Sequence, residues 1–327
     1  DFRFFHNYRD EFAFTKADAL LFPCEEAMEP YFQTWPRFAE IIKDKPVYFS
    51  TTGALKSDVV TPRNVLRREL NIPEDAKVFL YIGRFMKVRG IDTFVDAARR
   101  MIERNSGCYF VAVGEDIPAP LIESPYWIQR GFTQYPADYM TMADCCVIAS
   151  NHNYFDLGMI EILAQGSPLI AAETGGCRYL KSRTTGVLYF EPGSGESLVE
   201  AMLRYSQVES AENKQMKDDN RALYQRELTA EHFAEGYLET IDKLYRDFQI
   251  VEPQRQIVKM PFLQVTADDL PFPQAKREPA EDKKVKATSP SATASSTPPS
   301  VPERSLPLGQ RVLKPVVRPF VRQLGTR

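Results

Sequence analysis

The sequence predicts an α/β fold with a doubly wound parallel sheet, and two observations support this prediction. From Lys77 onward, short apolar segments alternate with segments of helical periodicity over about 130 residues, which is typical of parallel strands joined by right-handed crossovers. The first apolar segment, KVFLYIGR, ends in glycine and has the composition of a strand buried on both faces.

The elements follow in order along this region. After the first strand, IDTFVDAARRMIERNSG has apolar residues at helical spacing, with Asp92 expected to cap its start and Gly107 past its end. Strands are then predicted in CYFVAVGE and YWIQRGF, and DYMTMADCCVIAS predicts a short helix leading into a fourth strand. A helix from about Leu157, the strands PLIAAE and GVLYFEPGS, and the helix ESLVEAMLRYSQ complete the pattern.

Three regions are expected in the 327 residues. Residues 1–60 are less regular: they predict a helix, an apolar strand and one helix in EEAMEPYFQTWPRFAEII, and we interpret them as the incomplete end of a preceding domain. Residues 61–252 form the main α/β domain, whose last helix, TAEHFAEGYLETIDKLYRDF, is amphipathic and is expected to pack on 1–60. Because the chain starts at Asp1, we expect a fragment of a longer protein or a processed one.

Residues 253–327 form the third region, a basic tail. It carries 13 Lys/Arg against 6 Asp/Glu and half of the 24 prolines. Such a composition buries too little apolar surface to offset chain entropy, so we expect disorder. Its last part, RVLKPVVRPFVRQLGTR, suits either a peripheral membrane contact or a solvated tail. The first 252 residues carry a net charge of −10, which argues against nucleic acid as a partner.

The remaining composition excludes other classes. The sequence contains no run of eighteen or more apolar residues, which is the length that a membrane-spanning helix requires. The five cysteines form no CxxC pair and are expected to be free, buried thiols in a reducing compartment, which predicts a cytoplasmic protein. The three histidines lack the spacing of zinc ligands, so no residue is assigned to a metal, and His6 is expected to be non-catalytic.

The loops that follow the predicted strands contain the candidate binding residues. Gly83 opens GRFMKVRG, where Arg84 and Arg89 flank Lys87, and other polar motifs follow the next strands. In a doubly wound sheet, ligands bind beyond the carboxyl ends of the strands. Guanidinium groups there suit a diphosphate, although on charge alone the same cations could merely solubilise a loop.

The segment NHNYFDLGMIEILAQGSPLIAAETGG adds a second set of candidates. If a helix begins near Leu157, the backbone N–H groups of Leu157, Gly158 and Met159 are expected to be unpaired and to face the cleft, where they would bind phosphate oxygens. Glu161 lies one turn further and could accept hydrogen bonds from a ribose diol. The alternative is that Glu161 is a solvated helix residue, which would not require its apolar neighbours.

These two segments resemble motifs of the family-4 retaining glycosyltransferases. IGRFMKVRGIDTFVDAA resembles the family's GR-x(4)-K-G-x-D segment, and NYFDLGMIEILAQGSPLIAAETGG resembles its E-x7-E segment with the following GG loop. The resemblance covers roughly residues 61–250. It implies a GT-B fold, in which two Rossmann-like domains face a cleft, and it implies a nucleotide-diphosphate sugar as donor substrate, with no further cofactor.

Carried over by position, the resemblance assigns roles to individual residues. Arg84 would bind the diphosphate, Arg89 would take the place of the family's lysine, and Glu161 would hold the donor ribose. The loop that frames the nucleobase would consist of Gly131, Phe132 and Thr133.

The sequence departs from the family pattern at several of these positions. Asn153 replaces the first glutamate of E-x7-E, which contacts the donor sugar, and Asp156 replaces a glycine. Tyr179 stands where a glutamate usually follows the GG pair, and Arg89 is bulkier than lysine. An asparagine can still bind sugar hydroxyls, and Asp156 could supply a nearby carboxylate. The changes fit either a variant donor site or one that has lost catalysis.

We therefore expect a metal-independent, retaining glycosyltransferase that acts on a glycan or lipid-linked acceptor, with the leaving diphosphate stabilised by the two cations. One alternative is a relative that has lost catalysis and binds a nucleotide-sugar or a protein. A weaker one is a sugar-nucleotide epimerase or phosphorylase built on the same fold.

Overall fold

The structure, a computed structural model, describes residues 8–114 and 121–249, all of which lie within one unit of the chain, Asp1–Gln256. Strands β1 (Leu20–Phe22) and β2 (Val47–Phe49) pair in parallel as a small separate sheet. The strands of the main sheet are β3 (Val78–Ile82), β4 (Tyr109–Val113), β5 (Trp127–Arg130), β6 (Cys145–Ile148), β7 (Leu169–Ala172) and β8 (Val187–Phe190).

The main sheet is parallel throughout, in the order β5-β4-β3-β6-β7-β8. From β3 the chain winds outward through β4 to β5, then returns to the other side of β3 with β6 and winds outward again. This reversal between β3 and β6 is the topological switch point, where crevices open at the carboxyl edge of such sheets. The predicted doubly wound α/β fold is confirmed.

Helices connect and cover these strands. In chain order they are α1 (Tyr8–Lys16), α2 (Glu29–Thr34), α3 (Phe38–Ile42), α4 (Arg63–Glu69), α5 (Ile91–Glu103), α6 (Pro136–Met142), α7 (Leu157–Gln165), α8 (Gly195–Ser206), α9 (Ser210–Glu227) and α10 (Ala230–Asp247). Three short 3-10 helices cover Glu26–Met28, Lys87–Arg89 and Gly175–Leu180.

The core is divided by the sheet into two clusters, which explains the continuous apolar segments of the sequence. Along β3, Val78 and Leu80 point into one cluster with α4, α6, α7 and α9, while Phe79 and Tyr81 point into the other with α5 and α8. Each of these four side chains is at most 3% exposed. A strand covered on both faces gains by being apolar at every position.

Residues before 60 pack around a third, aromatic cluster centred on Trp35 and Phe38. The prediction of one helix in EEAMEPYFQTWPRFAEII is wrong, because the chain leaves the helical conformation at Trp35 (φ −127°, ψ 96°) and resumes it in α3. The cause is Pro36, whose ring disfavours helical geometry at the preceding residue.

Two further differences concern helices. The expected cap by Asp92 is wrong: Gly90 is the N-cap of α5, and the Asp92 carboxylate instead accepts a hydrogen bond from the adjacent Thr93 N–H at 3.0 Å. Helix α9 was not predicted, since it is strongly polar, yet it packs on α7 and buries Leu223 and Tyr224 in the core. Helix α7 begins at Leu157 and ends before Gly166, as expected.

Several other expectations can be compared with the described residues. Helix α10 contacts residues before 60 as predicted: the Tyr48 hydroxyl donates to Asp247 at 2.8 Å, and the Thr240 hydroxyl donates to the Phe49 carbonyl at 3.3 Å. All five cysteines are free and buried, as expected. Within 8–114 and 121–249, no helix is both long and apolar enough to cross a bilayer. His6 and the predicted tail lie outside the described residues.

Candidate functional site

A pocket of about 270 Å³ opens at the switch point. Its walls are the ends of β3 and β6 with the residues that follow them, the 3-10 helix Lys87–Arg89, and the first turns of α6 and α7. Arg84, Arg89, Asp156 and Glu161 all line this switch-point pocket. Residues from four separate stretches of sequence therefore meet where doubly wound folds bind their ligands.

The loop after β3 carries both arginines, and the side chain of Tyr81 binds its backbone. The buried Tyr81 hydroxyl donates to the carbonyl oxygen of Arg84 at 2.8 Å and lies 3.4 Å from that of Arg89. Burial raises the pKa of this hydroxyl, so it remains a hydrogen-bond donor throughout the physiological range. Sequence reasoning missed Tyr81, whose place in an apolar strand gave no signal of this contact.

Arg84 and Arg89 differ in their surroundings. The Arg84 side chain is exposed, and no ion pair or side-chain hydrogen bond engages it within the described part of the chain. Arg89, by contrast, donates to a carboxylate oxygen of Asp156 in a close ion pair and is about one-third exposed. Among the described residues, the Arg84 guanidinium is thus available to bind an anion, whereas the Arg89 guanidinium is already paired with the carboxylate of Asp156.

Asp156 is also the N-cap of α7. Its second carboxylate oxygen accepts the N–H of Gly158 at 3.1 Å, and its carbonyl accepts the N–H of Met159 at 3.1 Å. The prediction that the amides of Leu157, Gly158 and Met159 are unpaired is therefore wrong for Gly158 and Met159. The signal was present in the sequence, because aspartate immediately before a helix is a strong N-cap.

Glu161 lies in the second turn of α7 and lines the switch-point pocket while remaining partly buried. Burial raises the pKa of its carboxyl, and the negative charge of Asp156 raises it further. Glu161 is thus not a freely solvated helix residue. Its predicted contact with a ribose stays a prediction.

Asn153 does not line the pocket. Its side chain is 2% exposed and lies beside Gly176, and neither of its polar side-chain atoms finds a hydrogen-bond partner among the residues that the structure describes. Its carbonyl oxygen accepts the N–H of Gly176 at 2.8 Å. Unlike Arg84, Arg89 and Glu161, Asn153 is thus buried outside the pocket lining, and its predicted sugar contact stays a prediction.

A second pocket adjoins the first and is mostly apolar. This apolar pocket includes Val113, Phe132 and Thr133, and it shares Gly83 and Arg84 with the switch-point pocket. Phe132 is 69% exposed, so the face of its ring is accessible.

Close backbone approach explains the glycines at these strand ends. A Cβ on Gly114 would lie 2.0 Å from the carbonyl oxygen of Gly83, and Gly83 itself has φ +151°, which L-residues rarely adopt. Gly131 is exposed and its neighbours leave room for a Cβ, so the structure does not require glycine there.

Two remaining sequence features have structural explanations. The Tyr179 hydroxyl donates to Glu227 at 2.8 Å, and the Arg183 guanidinium lies 4.0 Å from the centroid of the Tyr179 ring, so this side chain supports α9 and not the pocket. Within the described ranges, no cluster of three or more His, Cys, Asp or Glu side chains has the arrangement of a metal site.

Comparison with known families places this site in context. Residues 76–207 match the model of the glycosyl transferases group 1 family. This stretch resembles a group 1 glycosyltransferase domain. It contains β3 to β8 and every residue of the two pockets.

The chain is also similar to named glycosyltransferases. The chain is 26% identical over 178 residues to a D-inositol 3-phosphate glycosyltransferase of Geodermatophilus obscurus, covering 47% of this chain and 40% of the relative. It is 25% identical over 214 residues to the lipopolysaccharide 1,2-N-acetylglucosaminetransferase of Salmonella typhimurium, covering 56% of this chain and 53% of the relative. The chain thus spans about half or less of the length of these two relatives.

Solved structures confirm the GT-B type of fold. Sucrose-phosphate synthase from Thermosynechococcus elongatus superposes with a TM-score of 0.59 at 22% identity, covering 73% of this chain and 61% of that chain. HepE from Anabaena, crystallised in complex with UDP-glucose, superposes with a TM-score of 0.57 at 15% identity, covering 72% and 66%. At these identities the likeness concerns the fold alone.

Proposed function

We propose that the protein transfers a sugar from a nucleotide-diphosphate donor to a glycan or lipid-linked acceptor. The observation that carries this proposal is the meeting of Arg84, Arg89 and Glu161 in one pocket at the switch point of a domain that matches the group 1 glycosyl transferase model. Cations suit a diphosphate, and a carboxylate suits a sugar diol. A diphosphate and a sugar diol are both present in a nucleotide-diphosphate sugar.

The diphosphate would lie against Arg84, whose guanidinium is exposed and unengaged within the described part of the chain. As the bond to the sugar breaks, negative charge develops on the leaving diphosphate, and a positioned guanidinium stabilises it. By analogy with the loss of one oxyanion-hole donor, removal of this group should raise the transition-state free energy by about 3 kcal/mol.

The nucleoside would extend from the diphosphate into the apolar pocket. Glu161, partly buried in the switch-point pocket, would accept hydrogen bonds from the ribose, and the ring of Phe132 would offer the base a flat apolar surface. The two pockets share Gly83 and Arg84 in their linings, which supports a single ligand extending from one pocket into the other.

Other features of the proposal rest on resemblance. Retention of configuration and independence from metal ions follow from the motifs shared with family-4 enzymes. The UDP-glucose complex of HepE makes UDP-sugars the first donors to test. The name of the Salmonella relative, a lipopolysaccharide N-acetylglucosaminetransferase, supports a surface-glycan acceptor. A cytoplasmic location, with membrane contact through the basic tail, is part of the same proposal.

Calorimetric titration of the full chain with UDP, GDP and ADP tests donor binding, and measurement of donor hydrolysis with the matching nucleotide-sugars tests turnover. We expect one nucleotide to bind, and the Arg84→Ala variant to bind it at least tenfold more weakly. Equal affinity of parent and variant would show that the phosphate lies elsewhere. If none of the three nucleotides binds the parent or any pocket variant, the proposed function is wrong.

A second candidate is a domain that binds a nucleotide-sugar or a protein without catalysis. Two observations favour it: Asn153, at the position of the family's sugar-contacting glutamate, is buried away from the pocket, and Arg89 is already paired with Asp156. This candidate predicts nucleotide binding without hydrolysis or transfer. Turnover abolished by Arg84→Ala would exclude it.

A further inference from the structure

Asp156 is already paired with two positive groups that could bind an anion: the Arg89 guanidinium in the loop after β3 and a backbone N–H at the start of α7. One carboxylate oxygen accepts from the Arg89 guanidinium, and the other accepts the N–H of Gly158 at 3.1 Å. Both partners, and Asp156 itself, line the switch-point pocket. The carboxylate thus makes the contacts that a phosphate oxygen would make in the same place.

Capping alone does not require a negative charge here. Asparagine and serine cap helices about as well as aspartate, whereas a carboxylate adds an ion pair with Arg89 and repulsion of Glu161. The repulsion contributes to the raised pKa of the Glu161 carboxyl, which burial raises first and the charge of Asp156 raises further. Among the residues that the structure describes, the pocket lining carries two arginines and two carboxylates, so these charges balance and give no positive excess for a diphosphate.

We propose that Asp156 acts as an internal competitor of the donor diphosphate and sets the affinity of the switch-point pocket for it. In the unliganded chain its carboxylate holds Arg89 and the Gly158 amide. For a diphosphate to engage both, the Asp156 side chain turns away and the ligand's oxygens replace it. This inference rests on the proposed function, since it assumes a ligand that carries a diphosphate.

The exchange has a defined energetic consequence. An ion pair of partly exposed groups contributes up to about 1 kcal/mol, which donor binding must give up, and the displaced carboxylate still repels a doubly charged ligand nearby. Removing the charge while keeping a hydrogen-bond acceptor for Gly158 should therefore tighten binding of a nucleoside diphosphate about fivefold or more. Arg89 should then become a stronger contact of the ligand than it is in the parent.

The test is calorimetric titration of the full chain and of Asp156→Asn with UDP, GDP and ADP at low salt. Asparagine keeps the size of the side chain and an oxygen for the Gly158 N–H. The matched control is Asp218→Asn, which removes the same charge from an exposed ion pair with Arg221 on α9, away from the pocket. Arg89→Met in both the parent and the Asp156→Asn background completes a double-mutant cycle.

Tighter binding by Asp156→Asn, unchanged binding by Asp218→Asn, and a larger loss from Arg89→Met in the Asp156→Asn background support the inference. Binding by Asp156→Asn alone, with none by the parent, supports it as well. If parent and Asp156→Asn bind a nucleotide equally, or the variant binds more weakly, Asp156 is not a competitor, although the proposed function stands. If neither the parent nor any variant binds a nucleotide while all remain folded by circular dichroism, the proposed function itself is overturned.

Discussion

Replacement of Glu161 by glutamine should stabilise the fold and weaken nucleotide binding at the same time. The carboxyl is partly buried beside Asp156, and burial, followed by the charge of Asp156, raises its pKa. The native state thus holds this proton more tightly than the unfolded chain does. Any such acid makes the protein less stable as the pH rises through the range between its unfolded and native pKa values. Glutamine carries no charge and removes this destabilisation, so the gain in unfolding free energy is largest at neutral pH, where the parent's carboxylate is ionised.

The size of the gain follows from the geometry. Two like charges at a partly exposed site repel each other by about 0.5–1 kcal/mol. For a folded domain of roughly this size, 1 kcal/mol corresponds to about 2–4 °C in Tm. We therefore expect Glu161→Gln to raise Tm by about 1–4 °C at pH 7, and to raise it less near pH 5, where more of the parent's Glu161 carries a proton.

Nucleotide affinity should change in the opposite direction. Hydrogen bonds to a charged acceptor contribute about 1.5–3 kcal/mol, so the loss of the carboxylate should weaken binding of the preferred nucleoside diphosphate about ten- to a hundredfold. A gain in stability together with a loss of nucleotide affinity is expected of a side chain that serves binding at the expense of stability.

The assays are thermal unfolding followed by circular dichroism between pH 5 and 8, and calorimetric titration with the nucleotide that binds the parent. Glu200→Gln is the matched control, because Glu200 is an exposed carboxylate on α8 outside both pockets. It should change neither quantity. A lower Tm for Glu161→Gln at pH 7, or unchanged affinity, would refute the reasoning, because the charge would then serve the fold or lie outside the ligand's reach.

Three further predictions follow. Arg84→Ala should raise the transition-state free energy of transfer by about 3 kcal/mol and so slow the reaction. It should leave urea unfolding unchanged, because this exposed side chain has no ion pair within the described residues. A fall in stability would contradict this account. Arg67→Met should cost about 3–5 kcal/mol of unfolding free energy, since the fully buried guanidinium binds Asp144 and several carbonyls; a urea midpoint like the parent's would show that the network is dispensable. Gly90→Ala should destabilise the fold and disturb the arginine loop, because its Cβ would lie 1.8 Å from the Ala149 carbonyl at φ +72°; parent-like Tm and nucleotide affinity would exclude this clash.

Much of the fold could be predicted from the sequence because its signals are local. Apolar segments such as that of β3 and helical spacing such as that of α5 were correctly interpreted, since alternation of strand and helix strongly favours one topology. The errors were local as well. The effect of Pro36 on Trp35 and the polar helix α9 depend on a single proline and on a few buried contacts, which periodicity hardly registers.

The candidate site could be predicted less completely. Arg84, Arg89 and Glu161 were placed together because the carboxyl ends of parallel strands meet at one edge. The state of these groups could not be predicted. Arg89 is paired, whereas Arg84 has no ion-pair partner among the described residues, and Asn153 lies buried beside Gly176. These arrangements depend on distances between residues far apart in the chain.

Local sequence patterns are enough to specify the winding of the sheet, the position of helix α7 and the charged groups at the sheet's carboxyl edge, because periodicity, caps and turn residues act over a few positions. How those charges pair with one another depends on the packed molecule. Electrostatic pairing depends on separations of a few ångströms between distant segments, and the contact of Asp156 with Arg89 and Gly158 exists only once the loop after β3 and the start of α7 have packed side by side.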